Sequence, residues 1–176
     1  HKHSDTEKDP HSPKFSKNII MLNINTVKHY ESIRRNKKDY SKYDYNVPRW
    51  EPLEKFSDYW LTRVSFIAFY TLVYATYSTS TWQYMLLPIH FVMGPLHGSI
   101  VNWCGHRYGY VNHKKTNDQS KNTLPFDFLM MGELFQNNHH WKPKSLNFSS
   151  RWFEIDPGFL FTKILNKINM IRINNG

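Results

Sequence analysis

The residues of this chain best suited to chemistry are two adjacent histidines, His139 and His140, which end the run QNNHH that starts at Gln136. A neutral imidazole nitrogen binds borderline metals such as iron and zinc. On a helix, Gln136 would share a face with both histidines, because neighbours three and four residues apart lie together. The two histidines would diverge by roughly 100° around the helix axis. This spacing favours a dinuclear site, or two sides of one metal cluster, over a single structural zinc ion.

An adjacent histidine pair also occurs on solvated loops, and the chain has 10 histidines in 176 residues. The wider pattern favours a site, because His106 lies four residues after Asn102 and the chain opens with His1. The single cysteine, Cys104, excludes an internal disulfide and a cysteine-based zinc or iron–sulfur site. Two kinds of centre remain open: a zinc hydrolase with Glu133 as general base, and a di-iron centre that activates dioxygen.

Three segments resemble the histidine boxes of the membrane fatty acid desaturases. Residues 102–110 and 132–140 resemble the last two ligand blocks of that family, and residues 1–13 resemble the end of its middle box, His-x-x-His-His, with the residues that follow. The resemblance runs in order from His1 to about Ile173 and is closest to the bacterial acyl-CoA Δ9-desaturases, which are similar to stearoyl-CoA desaturase. It implies that this chain is the C-terminal part of a longer enzyme, with the first box and two membrane helices upstream.

The resemblance also implies a ligand set. The positions that match iron ligands are His1, His106, His139 and His140, and Asn102 matches a residue that reaches iron through water. Gln136 stands where the family usually has histidine; some branches carry glutamine there, and whether Gln136 binds metal directly stays open. Glu133 and His11 are expected to support the ligands from outside the coordination sphere.

The function implied is introduction of a cis double bond, at Δ9, into a saturated acyl chain. Removing hydrogen from unactivated methylene carbons is beyond any amino-acid side chain, so the cofactor must carry that step. The expected cofactors are two iron ions (Fe²⁺/Fe³⁺) with O₂ as co-substrate. The expected partners are a long-chain acyl-CoA or acyl-lipid, a ferredoxin or b-type cytochrome as electron donor, and the lipid bilayer, but not nucleic acid. The alternatives are a membrane di-iron hydroxylase and a non-catalytic, degenerate relative.

Two apolar runs, residues 60–77 and 82–104, are each about as long as a helix that crosses the hydrocarbon core. The mean hydropathy is −0.64, but the apolar residues are concentrated in these runs. The polar residues 78–81 between them predict a turn, so the pattern predicts a transmembrane helical hairpin. Two buried helices of a soluble core are the alternative. Arg63 lies close to the N-terminal end of the first run, so its side chain can extend its charge to the membrane surface.

Charge orients this hairpin. Lysines and arginines cluster at 34–42, before the first run, and at 107–121, after the second, whereas the turn carries no charge. By the positive-inside rule both ends lie in the cytoplasm, which places the early and late histidines on one side. The net charge of +9 suits anionic headgroups or a phosphate-bearing substrate, although it also follows from a lysine-rich composition.

The predicted architecture is therefore all-α: a cytoplasmic segment (1–59), a two-helix membrane hairpin (60–104) and a cytoplasmic metal-binding segment (105–176) that together form the C-terminal half of a four-helix membrane desaturase. Within it we expect a short helix over 18–29, a connection over 31–52, a loop over 108–125 and a helix over 126–140. Asp156 and Pro157 are suited to cap and start a last amphipathic helix. Its apolar spacing continues to Ile171, and Asn175 and Gly176 would close it.

Overall fold

The computed structural model describes residues 3–35 and 50–173, and this part of the chain is helical. Its elements are α1 (Ile19–Arg35), α2 (Glu51–Asp58), α3 (Trp60–Tyr77), a 3₁₀ helix (Thr81–Leu86), α4 (Leu87–Phe91), α5 (Met93–Arg107), α6 (Gln136–Trp141) and α7 (Pro157–Lys167). The β pairings in the described part are isolated bridges, such as Tyr110 with Asn122. The all-α class is confirmed for these residues. The chain divides into two compact units, His1–His29 with His97–Gly176, and Tyr30–Leu96.

In the unit Tyr30–Leu96, helix α3 coincides with the first apolar run. Its large side chains are mostly exposed, with Leu61 at 75% and Leu72 at 65% of their full surface. The polar turn after it is confirmed. The Gln83 side-chain carbonyl accepts hydrogen bonds from the backbone N–H of Thr79 (2.8 Å) and Ser80 (3.2 Å), which stabilises the turn and starts the 3₁₀ helix.

The second apolar run does not form the single continuous helix expected of it. Pro88 follows Leu87 at the start of α4, and Pro95 lies in the first turn of α5. Each proline lacks the backbone N–H that would continue a helix from the preceding segment. Within the described residues, no single helix meets the length and hydropathy expected of a membrane span. The pair Thr81–Phe91 and Met93–Arg107 meets them jointly, with a bend of 70° between its halves. The membrane hairpin stays a prediction.

The unit His1–His29 with His97–Gly176 has a small apolar core and many buried polar groups. Leu22 of α1, Val101 of α5 and Phe135 are buried. The Ser99 hydroxyl on α5 donates to the Asn23 side chain on α1 at 2.6 Å, which joins the two helices. The predicted helix over 18–29 is confirmed and continues to Arg35 as α1. The expected connection over 31–52 therefore starts later, and residues 36–49 lie outside the described part.

The helix predicted over 126–140 is confined to α6. The fully buried Asp127 carboxylate accepts hydrogen bonds from the backbone N–H of Met130 (2.9 Å), Gly132 (3.2 Å) and Leu134 (2.9 Å). These bonds close a turn instead of a helix. Gly132 has φ +95°, and a Cβ there would overlap the Asp156 carboxylate, so only glycine fits. As expected, residues 108–125 form a loop.

Helix α7 begins as predicted. The Asp156 side chain accepts the Phe159 N–H at 2.9 Å, and Pro157 is the first helical residue. The helix ends at Lys167, earlier than its apolar spacing indicated. Asn169 adopts φ +57°, and Met170 N–H donates to the Leu165 carbonyl at 2.9 Å, which is a Schellman ending. The Asn175–Gly176 ending lies outside the described residues.

Candidate metal centre

One cavity of about 480 Å³ in the unit His1–His29 with His97–Gly176 collects the candidate residues. The predicted site residues that line it are His11, Asn102, His106, Glu133, Gln136, His139 and His140. His3 and Asp9 line it as well. His1 lies outside the described residues. The structure thus brings together every described residue of the predicted site, and their roles as ligands remain a prediction.

Helix α5 presents Asn102 and His106 one turn apart. The Asn102 side-chain nitrogen donates to the Gly98 carbonyl at 2.7 Å, so its oxygen is the end that can accept a bond from a water molecule. His106 is buried, at 6% of its full surface. Its Nδ1 lies 2.8 Å from Oδ2 of Asp5, 101 residues earlier in the chain.

The Asp5 carboxylate fixes the tautomer of His106. Burial raises the pKa of Asp5, but hydrogen bonds from His106, the Ser12 hydroxyl and the Gln119 N–H outweigh it and lower the pKa to about 2. An ionised carboxylate only accepts hydrogen bonds, so Nδ1 of His106 must carry the proton. In the neutral imidazole the lone pair is then on Nε2, which is the nitrogen left for a metal ion.

His140 has the same arrangement. Its Nδ1 contacts Oδ2 of Asp118 in a short hydrogen bond, and both side chains are buried. Burial raises the pKa of Asp118, but hydrogen bonds from His140 and Ser120 hold it well below its usual value. In the neutral ring of His140, Nε2 is therefore also the nitrogen with a lone pair. Two buried aspartates thus orient two of the predicted ligands in the same way.

The three histidines lie close together. The ring centroids of His106 and His140 are 5.0 Å apart, and those of His139 and His140 are 5.8 Å apart. The His139 ring packs against Phe148, with centroids 4.4 Å apart. Burial is the main cause that lowers the pKa of His139, to about 4, and the electrostatic interaction with His140 lowers it further. His139 is therefore neutral at pH 7, which is the form that binds metal.

Gln136 is buried at the start of α6 and packs against α5. Its side-chain nitrogen donates to the Glu133 carbonyl at 3.0 Å, which leaves the amide oxygen as the group able to bind a metal. Gly105 makes this position possible, because a Cβ there would overlap Cγ of Gln136. Glu133 lines the same cavity. Burial raises its pKa, the charge of His97 lowers it, and the net shift is upward.

A polar network holds α6 in place, and the sequence did not indicate it. Asn138 donates from its side chain to the Phe148 carbonyl (2.7 Å) and to Glu154 (2.9 Å), and it accepts from Asn122 (3.0 Å). Glu154 accepts further bonds, including one from the Tyr110 hydroxyl at 2.7 Å. Because such a buried network fixes a single arrangement, these side chains position the histidine pair.

Asn137 ties the same helix to the preceding loop. Its side-chain oxygen accepts the backbone N–H of Asn112 (2.9 Å) and His113 (2.8 Å), and its nitrogen donates to the His113 carbonyl (3.0 Å). The two asparagines of QNNHH are thus structural, while the residues on either side of them face the cavity.

Within residues 3–35 and 50–173, no group of three or more His, Cys, Asp or Glu side chains is arranged to hold a metal ion. The imidazole donors of the cavity nevertheless suit a borderline metal such as iron or zinc. An imidazole whose Nδ1–H is held by a carboxylate is typical of metal-ligating histidines. In both His106 and His140, Nδ1 is hydrogen-bonded to an aspartate.

We expect Asp118→Asn to lower the iron affinity of the full-length protein by about 10-fold, the lower end of the range for outer-shell changes. An asparagine oxygen still accepts the His140 proton but carries no charge to raise the basicity of the ring. Iron content after dialysis against graded chelator measures the change. Asp58→Asn, an exposed aspartate in the other unit, is the matched control. Equal iron retention in the Asp118 and Asp58 variants would show that Asp118 does not support a ligand.

Comparison with known proteins gives the family. The model of the family described as fatty acid desaturase matches residues 1–154 of the 176. The chain belongs to the fatty acid desaturase family. It is also 33% identical over 72 residues to an sn-1 stearoyl-lipid 9-desaturase of Synechocystis sp., a match that covers 41% of this chain and 22% of that relative. The chain thus spans about a fifth of the length of this curated desaturase. No solved structure matches it.

Proposed function

We propose that the full-length protein is a fatty acid desaturase that introduces a cis double bond at Δ9 of a saturated acyl chain, with O₂ and a di-iron centre. The observation that carries the proposal is the cavity in which His106 and His140, each held by a buried aspartate, meet His139 and Gln136. In a chain of the desaturase family, this is the arrangement expected of iron ligands. The Synechocystis relative, named a stearoyl-lipid 9-desaturase, supports the Δ9 position.

Each residue of the cavity would have its own role in holding the metal ions. His106, His139 and His140 would hold iron through ring nitrogens, together with His1, while Asn102 would act through water and Gln136 through its amide oxygen. Two iron ions held there would supply the activation of dioxygen that removal of hydrogen from methylene carbons requires. Asp5 and Asp118 keep the two buried imidazoles in one tautomer, and Glu133 and His11 complete the polar wall of the cavity.

The membrane part of the proposal rests on exposure and charge. Helix α3 exposes large apolar side chains along its length, among them Trp60, Phe66 and Phe69. Contiguous exposed apolar surface of this kind marks membrane or protein contacts. We propose that residues 60–104 lie in the membrane, with 1–59 and 105–176 on the cytoplasmic face. The acyl chain would come from acyl-CoA or an acyl-lipid in that membrane.

The test is expression of the full-length protein in a yeast strain that lacks its own Δ9-desaturase. We expect growth without added unsaturated fatty acid, and gas chromatography should find monounsaturated acyl chains with the double bond at Δ9. Pulse labelling of the acyl-CoA and phospholipid pools identifies the substrate, because the pool that first contains the double bond is the one acted on. Hydroxylated chains would identify a hydroxylase instead. Expressed, iron-loaded protein that forms no product would indicate a degenerate relative.

A further inference from the structure

A second cleft, of about 620 Å³, opens beside the histidine cluster in the unit His1–His29 with His97–Gly176. Arg107, Lys114 and Lys121 line it. The cleft shares His106 with the first cavity, and Asp118, the partner of His140, is part of its wall. It is therefore a basic surface separated from the candidate metal centre by single side chains.

The positive charge of this basic cleft is not neutralised by ion pairs within the described part of the chain. The Arg107 guanidinium lies 4.3 Å from the Trp103 ring centroid, and the Lys121 amino group donates to the Arg107 carbonyl at 2.9 Å. Lys114 is exposed. Among the described residues of the lining, Asp118 is the one carboxylate, and it is hydrogen-bonded to His140 and Ser120.

Further charged side chains lie near the cleft. His113 also lines the cleft, and burial, followed by the positive charge of Lys142, lowers its pKa. The charge of Glu154 raises the pKa of His113, and the charge of Arg151 lowers it. Lys142 and Arg151 are therefore two further cations near His113, beside one carboxylate.

The form of this surface fits a protein better than a small anion. A built phosphate site has buried, converging donors, whereas Arg107 and Lys114 are exposed. Dispersed surface cations of one sign attract and orient an acidic protein face, with an effect that salt weakens.

The proposed desaturation needs such a partner. Each double bond takes two hydrogens from the acyl chain, one O₂, two electrons and two protons, and yields two water molecules, so the electrons must come from outside. Resting on that proposed function, we propose that the basic cleft is the docking surface for the acidic face of a protein electron carrier.

Two contacts connect this surface to the ligand helix. Asp118 in the cleft wall is hydrogen-bonded to His140. His113, also in the lining, stacks on Trp141, with ring centroids 5.1 Å apart and planes 7° apart, and Trp141 directly follows His140. A carrier bound in the cleft would thus lie next to two side chains that touch α6 at its histidines.

The test uses the full-length protein in lipid nanodiscs with two acidic carriers, a plant-type [2Fe–2S] ferredoxin and the soluble haem domain of a b-type cytochrome, assayed separately. Lys114→Glu should raise the Kd and the KM for the carrier roughly 10-fold and flatten the salt dependence of binding. The rate with dithionite as reductant and the KM for acyl substrate should not change. Lys163→Glu, the same charge reversal on α7 outside the cleft, should behave as wild type. Lys114→Gln should give a smaller rise and replaces Lys114→Glu if that variant loses its iron.

Equal carrier affinity in wild type and the Lys114 variants would overturn the docking assignment. So would a wild-type enzyme that turns over with dithionite but binds neither carrier, or a rise in KM for acyl-CoA in place of the carrier. Absence of product with every reductant would instead be a failure of the proposed desaturase function. Surface plasmon resonance with the two carriers still decides the docking proposal in that case.

Discussion

We expect His139→Ala and His140→Ala each to abolish double-bond formation while the full-length protein stays in the membrane. The two imidazoles lie in the cavity with their rings 5.8 Å apart, outside the predicted hairpin. Loss of a ligand should cost more than the roughly 10- to 100-fold typical of outer-shell changes. Gas chromatography of fatty acids and iron content of the purified variants measure the effect, and membrane fractionation checks insertion.

His113→Ala and His29→Ala are the matched histidine controls. The His113 side chain stacks on Trp141 and lies 3.3 Å from the Ser150 hydroxyl, while its backbone, which alanine retains, makes the bonds to Asn137. His29 is outside the cavity lining. With a small reductant such as dithionite, both variants should keep most activity. If His113→Ala is as damaging as His139→Ala under those conditions, the ligand assignment is wrong.

The second large effect concerns Gln136. Gln136→Ala should lower activity roughly 10- to 100-fold, because the side chain lines the cavity, packs against Gly105 and has an amide oxygen that its hydrogen bond to Glu133 does not use. Gln136→His should be tolerated, since it restores the residue usual in the family and has a similar reach from α6. The absence of a side chain at Gly105 leaves room for the ring. Product formation in cells expressing each full-length variant measures both changes.

The contrast between the two substitutions is informative. Wild-type activity in Gln136→Ala would remove position 136 from the site and leave Asn102 and the histidines to carry it. Loss of activity in both variants, with iron retained, would point to packing against α5 as the role of Gln136. Gly105→Ala provides a separate check, because its methyl group would displace the Gln136 side chain without altering its chemistry.

The elements predictable from sequence are those with a strong local signal. The run 60–77 forms α3, and Asp156 with Pro157 starts α7. The helix boundaries that were predicted wrongly depend on tertiary contacts or on backbone conformation. Asp127 binds three backbone N–H groups and prevents a helix before Gln136, and the left-handed Asn169 ends α7 before its apolar pattern ends.

In the candidate site, too, local sequence signals identified some residues and tertiary contacts decided the rest. Residue type and spacing, with the family resemblance, selected side chains that the fold brings to one cavity. The aspartates that orient these histidines could not be predicted from the sequence. Asp5 lies 101 residues from His106, and Asp118 lies 22 residues from His140. No periodicity connects residues so far apart. Likewise, nothing in the sequence distinguishes Asn138 and Glu154 from other polar residues, and the fold buries them in contact with each other.

Metal analysis of the purified full-length protein tests the central claim most directly. We predict two iron ions per polypeptide and no stoichiometric zinc. Residues 1–176 expressed alone should bind fewer, because the predicted ligands His1, His106, His139 and His140 supply too few imidazoles for a dinuclear centre. Stoichiometric zinc without iron in the full-length protein would contradict the assignment of this cavity to a desaturase centre.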